Sequence, residues 1–311
     1  MQYRALGQTG LQVSALSFGA SSLGSVFREV QEADGIRAVH TALDRGINYI
    51  DVSPYYGLTR AETVLGKALR SVPRDRFFLS TKAGRYGLDA FDMSGPRLIQ
   101  SLDESLVRLH TDYVDILLLH DIEFVPVEQI VEESIPTLMQ LKRQGKIRFY
   151  GVSGLPLSVF TRVLERVDLD VILSYCHYAL NDATLLDILP TLQERQVGVI
   201  NASPLGMGLL TLRGTPDWHL ASDTVKQTCR RAAEYCQARG KNLSQLAIQF
   251  AVSNPAIPTT LCSTGDPEEV EANVGWTEAP LDPDLLHEVL MILQPIQGQS
   301  WPSGLPEYAD A

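Results

Sequence analysis

The chain has 311 residues, 45% of them hydrophobic, which is enough for a sizeable core built as two ordinary domains or as one large barrel. A net charge of −11 with scattered basic residues argues against a nucleic-acid partner, and the lack of an apolar run of about 18 residues argues against a membrane span. The opening Met1-Gln2-Tyr3-Arg4-Ala5 lacks a secretory signal layout, and Cys176, Cys229, Cys236 and Cys262 have no close pairing that would suggest a metal or a disulfide framework, so a soluble, reduced, cytoplasmic protein is expected.

Residues 3–6 and 11–14 flank Gly7-Gln8-Thr9-Gly10 and predict a small β-hairpin. The apolar run 15–20 follows as the first strand of the main sheet. Residues 32–45 are amphipathic and stop at Gly46, a good helix C-terminus. Residues 47–51 predict a short buried strand, broken at Ser53-Pro54, where proline removes a backbone donor and fixes φ. A helix over 61–69 leads to a strand over 77–82 that ends on Lys82. Ser94-Gly95-Pro96 opens a long helix to about 110, with proline tolerated in its first turn. The apolar strand 113–119 ends on His120-Asp121, and helix 127–144 is closed by Gly145. Then come strand 147–152, helix 157–166, strand 171–175, helix 184–195 and strand 197–202. Helices 222–240 and 244–252, strand 257–262 and helix 268–274 complete the alternation. An extra helix over 282–293 precedes a Pro/Gly-rich tail that reads as loop.

Eight short, nearly continuous apolar strands between amphipathic helices imply a parallel sheet covered on both faces. Eight such units with no linker-like shift in composition favour a single α/β (β/α)8 TIM barrel over 1–311, with an N-terminal hairpin and an extra C-terminal helix. A doubly wound sheet is the alternative. However, Phe18-Gly19-Ala20-Ser21-Ser22-Leu23-Gly24 lacks the glycine spacing of a dinucleotide fingerprint after the first strand.

Functional residues of such a barrel gather at the C-terminal ends of its strands. Asp51 and Tyr56 follow the second strand, Lys82 ends the third and His120 the fourth. Singly, each has an ordinary explanation: a carboxylate capping a helix, a tyrosine packing on the surface, a basic side chain in a loop contact. Together, at three consecutive strand tips, they make a constellation. A phenol of pKa ~10 is a poor base at neutral pH unless a cation stabilises its phenolate. Lys82 can be that cation, Asp51 can hold Lys82, and His120 can orient a substrate oxygen. Such a set is suited to moving a proton on a carbinol oxygen during hydride transfer.

Gly46-Ile47-Asn48-Tyr49-Ile50-Asp51, then Tyr56-Gly57, Lys82 and Leu117-Leu118-Leu119-His120, resemble the aldo-keto reductase superfamily over almost the whole chain. The resemblance implies a catalytic tetrad of Asp51, Tyr56, Lys82 and His120, with Tyr56 transferring the proton. It also implies a nicotinamide cofactor bound in extended form on the barrel. Ser53-Pro54-Tyr55-Tyr56-Gly57, His120-Asp121-Ile122-Glu123-Phe124, Ser174-Tyr175-Cys176-His177-Tyr178, Ala202-Ser203-Pro204-Leu205-Gly206-Met207-Gly208-Leu209-Leu210 and Pro216-Asp217-Trp218-His219 sharpen it towards dehydrogenases of free aldoses. The implied reaction is NAD-dependent oxidation of the anomeric carbon to a lactone, with L-galactose first and L-fucose next among substrates. Pyridoxal oxidation, a general aldehyde or ketone reductase and a non-enzymatic cofactor-binding subunit are the alternatives.

Departures from the family pattern mark the nicotinamide end. The usual Ser-Asn pair is Ser153-Gly154, a usual glutamine is replaced by Tyr175, and a usual stacking tyrosine by Ala202; Tyr175 is expected to provide the ring face instead. Gly19 and Asp51 are expected on the cofactor from the first two strand ends, and Ser203, Leu205 and Gly206 at the pyrophosphate, where backbone N–H groups beside a glycine suit an anion. After the last strand, Ser263, Asp266, Glu268 and Glu269 stand with no basic residue through Asn273. Acidic side chains accept ribose hydroxyls and repel a 2′-phosphate, so NAD is expected over NADP, with Asn273 on the adenine. Asp266 as a plain helix cap is compatible with that preference. Arg85, Tyr86, His177 and Trp218 are expected in rim loops facing the sugar. Trp218 has an equal claim as a loop anchor, and Cys176 as a small buried residue. No macromolecular partner is expected beyond a monomer or weak homo-oligomer.

Overall fold

A computed structural model of the chain describes residues 1–305 and 308. Strands β1 (Tyr3–Ala5) and β2 (Gln12–Ser14) pair antiparallel as the expected hairpin. There follow β3 (Leu16–Gly19), α1 (Glu32–Asp44), β4 (Tyr49–Asp51), α2 (Arg60–Leu69), β5 (Phe78–Ala83), α3 (Gly95–Leu109) and β6 (Val114–Leu119). Next are α4 (Val127–Gln129), a π-helical turn (Ile130–Ser134), α5 (Ile135–Arg143), β7 (Ile147–Gly154), α6 (Leu157–Leu164), β8 (Val171–Tyr175), α7 (Leu185–Glu194) and β9 (Gly198–Ala202). The chain continues through α8 (Asp223–Ala238), α9 (Leu243–Ser253), β10 (Thr259–Ser263), α10 (Pro267–Glu278) and α11 (Pro283–Leu293). Strands β3 to β10 pair in parallel and close into a barrel by β10 returning to β3. This is the (β/α)8 barrel that the alternation implies.

Period-two alternation sorts the strand side chains. Tyr49, Ile116, Leu118, Val171, Leu173, Ile200 and Leu261 fill the interior, while Leu117, Leu119 and Ile172 join the layer beneath the helices. Leu6, Leu11 and Val13 of the hairpin belong to the interior cluster, and Leu6 packs against Gly198, the first residue of β9. The hairpin therefore plugs the N-terminal mouth of the barrel. Each such leucine removed from water contributes about 1.5–3 kcal/mol, and the opposite mouth is left for polar side chains.

Three departures from the sequence expectation have identifiable causes. The helix expected over 127–144 widens into the π-turn just before Pro136, which has no N–H to bond the preceding turn; Ser134 Oγ donates to Met93 O (2.7 Å) and Gln129 O (3.2 Å) there. Helix α10 runs beyond residue 274 because Gln249 Nε2 donates to Trp276 O and Ala279 O, both at 3.1 Å, at its C-terminal end. The tail is not a free loop. Gln297 Nε2 donates to Leu180 O (2.6 Å), Ser303 Oγ to Glu123 Oε1 (2.7 Å) and Leu305 N to Glu123 O (3.2 Å), which ties residues 297–305 across the loops after β8 and β6. Among the described residues no helix is long and apolar enough to cross a membrane, and all four cysteines are free and buried.

Candidate active site

The register of β4 against β5 sets Asp51 opposite Ser80, so Lys82, two residues on, projects from the same interior face. Lys82 forms a buried ion pair with Asp51, and its ammonium also donates to Val52 O and Tyr56 Oη, each at 3.1 Å. All three of its protons are thereby used. Asp51 is braced from below: Ser80 Oγ donates to its Oδ2 (2.6 Å) and is itself bonded to the Tyr49 hydroxyl (2.8 Å). Burial opposes the ammonium, but Asp51 and Tyr56 outweigh it, and the Lys82 pKa is raised. Lys82 is a fixed cation.

Tyr56 reaches this cation from the loop after β4. A Cβ added at Gly24 would lie 2.5 Å from Tyr56 O, so the loop after β3 can press on the Tyr56–Gly57 peptide only because residue 24 is glycine. Burial pushes the Tyr56 phenol up and Lys82 pulls it down, with a net rise. The lysine acts in the expected direction, but desolvation wins, and the phenol of the free protein stays protonated near neutral pH.

His120 completes the group, its ring 5.7 Å from that of Tyr56 and nearly perpendicular to it. Burial, with Asp121 opposing and Lys82 assisting, lowers its pKa to about 3, so the imidazole is neutral at working pH. Ser53 Oγ accepts from Tyr55 N (3.1 Å) and lies 2.9 Å from His120 Nδ1. A Ser53 hydroxyl that donates to Nδ1 puts the proton of the neutral ring on Nε2, the nitrogen 3.7 Å from Asp121 Oδ2. A cation-tuned phenol and a neutral imidazole donor thus flank one place where an oxygen can sit.

A second layer surrounds them. Arg85 pairs with Asp121, donates from Nη2 to Tyr55 Oη (3.1 Å) and lies 4.0 Å above the Tyr55 ring. Tyr175 ends β8 on the interior face, half-buried, and Asp121 and Glu123 both add to the burial that raises its pKa. Glu123 is itself buried, its pKa raised to about 7 by burial and then by Asp121.

The other expected residues fall in three places. Gly19 pairs with Ser263 where β3 meets β10, and Ser263 Oγ bonds Ser21 Oγ (2.9 Å), Ser22 N (3.0 Å) and Ser22 Oγ (2.8 Å). Asp266 caps α10 by accepting from Glu268 N (2.9 Å), Glu269 pairs with Arg28 (2.8 Å), and Asn273 donates inward to Cys262 Sγ (3.6 Å). Ser153 Oγ is spent on Leu119 O (3.2 Å) and Asp121 N (3.3 Å). Ser203 (φ 59) begins the turn after β9, and Leu205 (φ −95, ψ 9) and Gly206 (φ 55) are a right-then-left-handed pair whose Gly206 N–H is given to Ser203 O (2.9 Å). A nicotinamide dinucleotide fits the remaining groups: hydroxyls and carboxylates at the β10 end, the tetrad at the other. Of the rim residues, Tyr86 is turned to its own loop, accepting from Gly84 N (3.1 Å), and His177 bonds Thr184 Oγ1 (2.9 Å) and Asp182 Oδ2 (3.1 Å). Trp218 is 48% exposed and sits 5.9 Å from Phe27 across the mouth, which makes it both an anchor between two loops and an accessible face.

Sequence reasoning missed Ser53, Ser80, Gly24, Arg28 and the Asp121 carboxylate. Asp121 lies beside His120 in the chain and Ser80 two residues before Lys82, so strand alternation was a usable signal for Ser80. Arg28 carries no such mark.

The aldo/keto reductase family model matches residues 15–292. L-galactose dehydrogenase of Arabidopsis thaliana is 50% identical over 98% of each chain. D-arabinose 1-dehydrogenase of Saccharomyces cerevisiae is 35% identical over 78% of this chain and 76% of its own. The solved aldo-keto reductase AKR11C1 from Bacillus halodurans, in its holo form, superposes over 100% of both chains with a TM-score of 0.80 at 27% identity.

Proposed function

The chain belongs to the aldo/keto reductase family, an oxidoreductase family that uses a nicotinamide cofactor, and on that premise we propose that it oxidises a free aldose at its anomeric carbon with NAD, L-galactose being the first substrate and L-galactono-1,4-lactone the product. The observation that carries this is the 50% identity to an L-galactose dehydrogenase over nearly the full length of both chains. The intact contact set of Asp51, Lys82, Tyr56 and His120 supports it.

The bound nicotinamide supplies the hydride acceptor. Tyr56 Oη takes the proton of the C1 hydroxyl, and Lys82, 3.1 Å away, stabilises the phenolate that must exist first. Asp51 keeps that cation in position. His120 Nε2 donates to the same sugar oxygen and, being neutral, adds no charge that would compete with Lys82. Ser153 and Tyr175 lie at the nicotinamide, Ser203, Leu205 and Gly206 at the pyrophosphate, Gly19, Asp51, Ser263, Asp266 and Glu269 along the nucleotide, and Asn273 at the adenine. Arg85 and Trp218 border the sugar, while Tyr86 and His177 are turned to partners in their own loops.

NAD is preferred over NADP because no basic side chain stands on residues 263–273 and Arg28 is already occupied by Glu269 at 2.8 Å and Asp266 at 4.0 Å. A 2′-phosphate would have to break that pairing beside two carboxylates. The enzyme acts as a single barrel in the cytoplasm, monomeric or weakly self-associating, with neither a membrane nor a nucleic acid as partner.

The test is formation of reduced cofactor with L-galactose, L-fucose, D-arabinose and pyridoxal, each with NAD and NADP. Turnover of L-galactose with NAD alone is expected. Turnover with NADP alone would overturn the argument from the last βα loop and leave the tetrad standing. Silence on the three sugars would end the aldose assignment. Tyr56→Phe should abolish turnover and leave cofactor binding intact, which separates an enzyme from a cofactor-binding subunit.

A further inference from the structure

We propose that Asp121 determines substrate specificity by accepting a hydrogen bond from the hydroxyl next to the reacting carbon, with Arg85 as the residue that positions its carboxylate. The proposal rests on the aldose assignment above and deepens it.

Asp121 follows His120 directly and is held with φ 56, a left-handed state that side-chain-bearing residues adopt at a cost. Its N–H is tied to Ser153 Oγ, and its carboxylate is buried, 2% exposed. The two oxygens have different fates. Oδ2 accepts from Arg85 Nη1 and lies 3.7 Å from His120 Nε2. Oδ1 is buried with no hydrogen-bond partner among the described residues. An unpaired buried carboxylate oxygen is costly, and proteins keep one where something else supplies the donor.

Arg85 is not free to supply it. Its guanidinium is spent on Asp121 and the Tyr55 hydroxyl and is clamped over the Tyr55 ring, with Phe91 at 5.2 Å and Phe124 at 5.7 Å. That clamp fixes the direction of the carboxylate. Tyr56 and Tyr175, the half-buried phenols of the mouth, both sense the Asp121 charge, so the carboxylate belongs to the cavity wall and not to the outer surface.

The geometry matches a sugar. With one oxygen held between Tyr56 and His120, the hydroxyl on the adjacent carbon lies about a hydrogen-bond length further on, towards the Asp121 carboxylate, whose Arg85-bound Oδ2 is 3.7 Å from His120 Nε2 and whose Oδ1 is left to accept. A simple aldehyde or ketone has no donor to place there. The substrate class is therefore an aldose with a free hydroxyl on the carbon next to the one oxidised.

The experiment compares an accepted aldose with its 2-deoxy counterpart on the NAD-loaded wild type and on Asp121→Asn. The asparagine turns its carbonyl to Arg85 and presents an amide donor, so the charged acceptor for the sugar hydroxyl is lost. Wild type should favour the parent sugar by about tenfold or more in kcat/KM, as expected for a hydrogen bond to a charged group. Asp121→Asn should lose about that factor on the parent, chiefly in KM, and change by less than about threefold on the 2-deoxy sugar. If Asp121→Asn does not fold, Arg85→Lys, which keeps the charge but loses the two-point fork, should show the same selective loss. Equal losses on both sugars, or a wild type indifferent to the 2-hydroxyl, would overturn the proposal and leave the aldose assignment standing. A wild type inactive on both sugars would overturn the two together.

Discussion

Replacing Lys82 by methionine removes one charge from a buried chain of three ionisable groups, and its two consequences can be separated. With an effective dielectric of ~20, a unit charge 3.1 Å from the Tyr56 oxygen stabilises phenolate by about 5 kcal/mol. Asp51 cancels part of this, since it pairs with the same ammonium and itself pushes the phenol up. Loss of Lys82 therefore pushes the Tyr56 pKa further up, which lowers kcat/KM for aldose oxidation about 100-fold near pH 8 and moves the rising limb of its pH profile upwards. Stability falls for a different reason. The Asp51 carboxylate, 3% exposed, keeps only the Ser80 hydroxyl, and an uncompensated buried charge costs about 3–5 kcal/mol. The double variant Lys82→Met/Asp51→Asn removes both charges, so its Tm should recover most of the loss while its activity does not. Thermal melts and initial rates of cofactor reduction from pH 6 to about 10 measure both effects. A Lys82→Met enzyme with the wild-type pH profile, or a double variant that regains activity along with stability, would refute the electrostatic account.

Three further outcomes follow from the same contacts. Glu269→Ala releases Arg28 from its 2.8 Å pairing and should improve the NADP to NAD ratio of kcat/KM by about tenfold, read from steady-state kinetics with each cofactor. Glu123 has its pKa raised to about 7, so it contributes stability while protonated and that contribution disappears as pH rises from its ordinary value of about 4.3 through about 7; Glu123→Gln should therefore lose less Tm than wild type between pH 5 and about 8. Gly24→Ala would set a methyl 2.5 Å from Tyr56 O, and should lower Tm by several degrees and kcat more than KM, because the displaced loop carries the phenol that meets the substrate.

The fold was legible because its determinants are local. Each strand was marked by a short apolar run, and the stop signals Gly46 and Gly145, with φ of 87 and 76, sit where helices end. Closure of the sheet followed from the number of units. Apart from the π-turn before Pro136, the larger shifts come from distant partners: Gln249 extends α10 from a neighbouring helix, and the tail is held by Glu123 about 180 residues earlier in the chain. No window on α10 or on the tail contains that information.

The same distinction divides the site. Asp51, Lys82 and His120 stand at consecutive strand tips, and parallel register must bring such tips to one rim, so their meeting follows from topology alone. Second-layer residues are different, because their roles depend on which loop leans on which. Arg28 reaches Glu269 across the closure of the barrel, and Gly24 matters because the loop after β3 presses on the peptide of Tyr56. Reading residues 263–273 as free of basic groups was correct for the segment, yet it left out the one guanidinium that the barrel brings to it. Because Glu269 and Asp266 already engage that guanidinium, the NAD preference proposed above rests on keeping the pair intact more than on acidic residues being present. A substitution that breaks the pair should therefore relax cofactor choice even when, as in Glu269→Gln, the segment gains no basic residue.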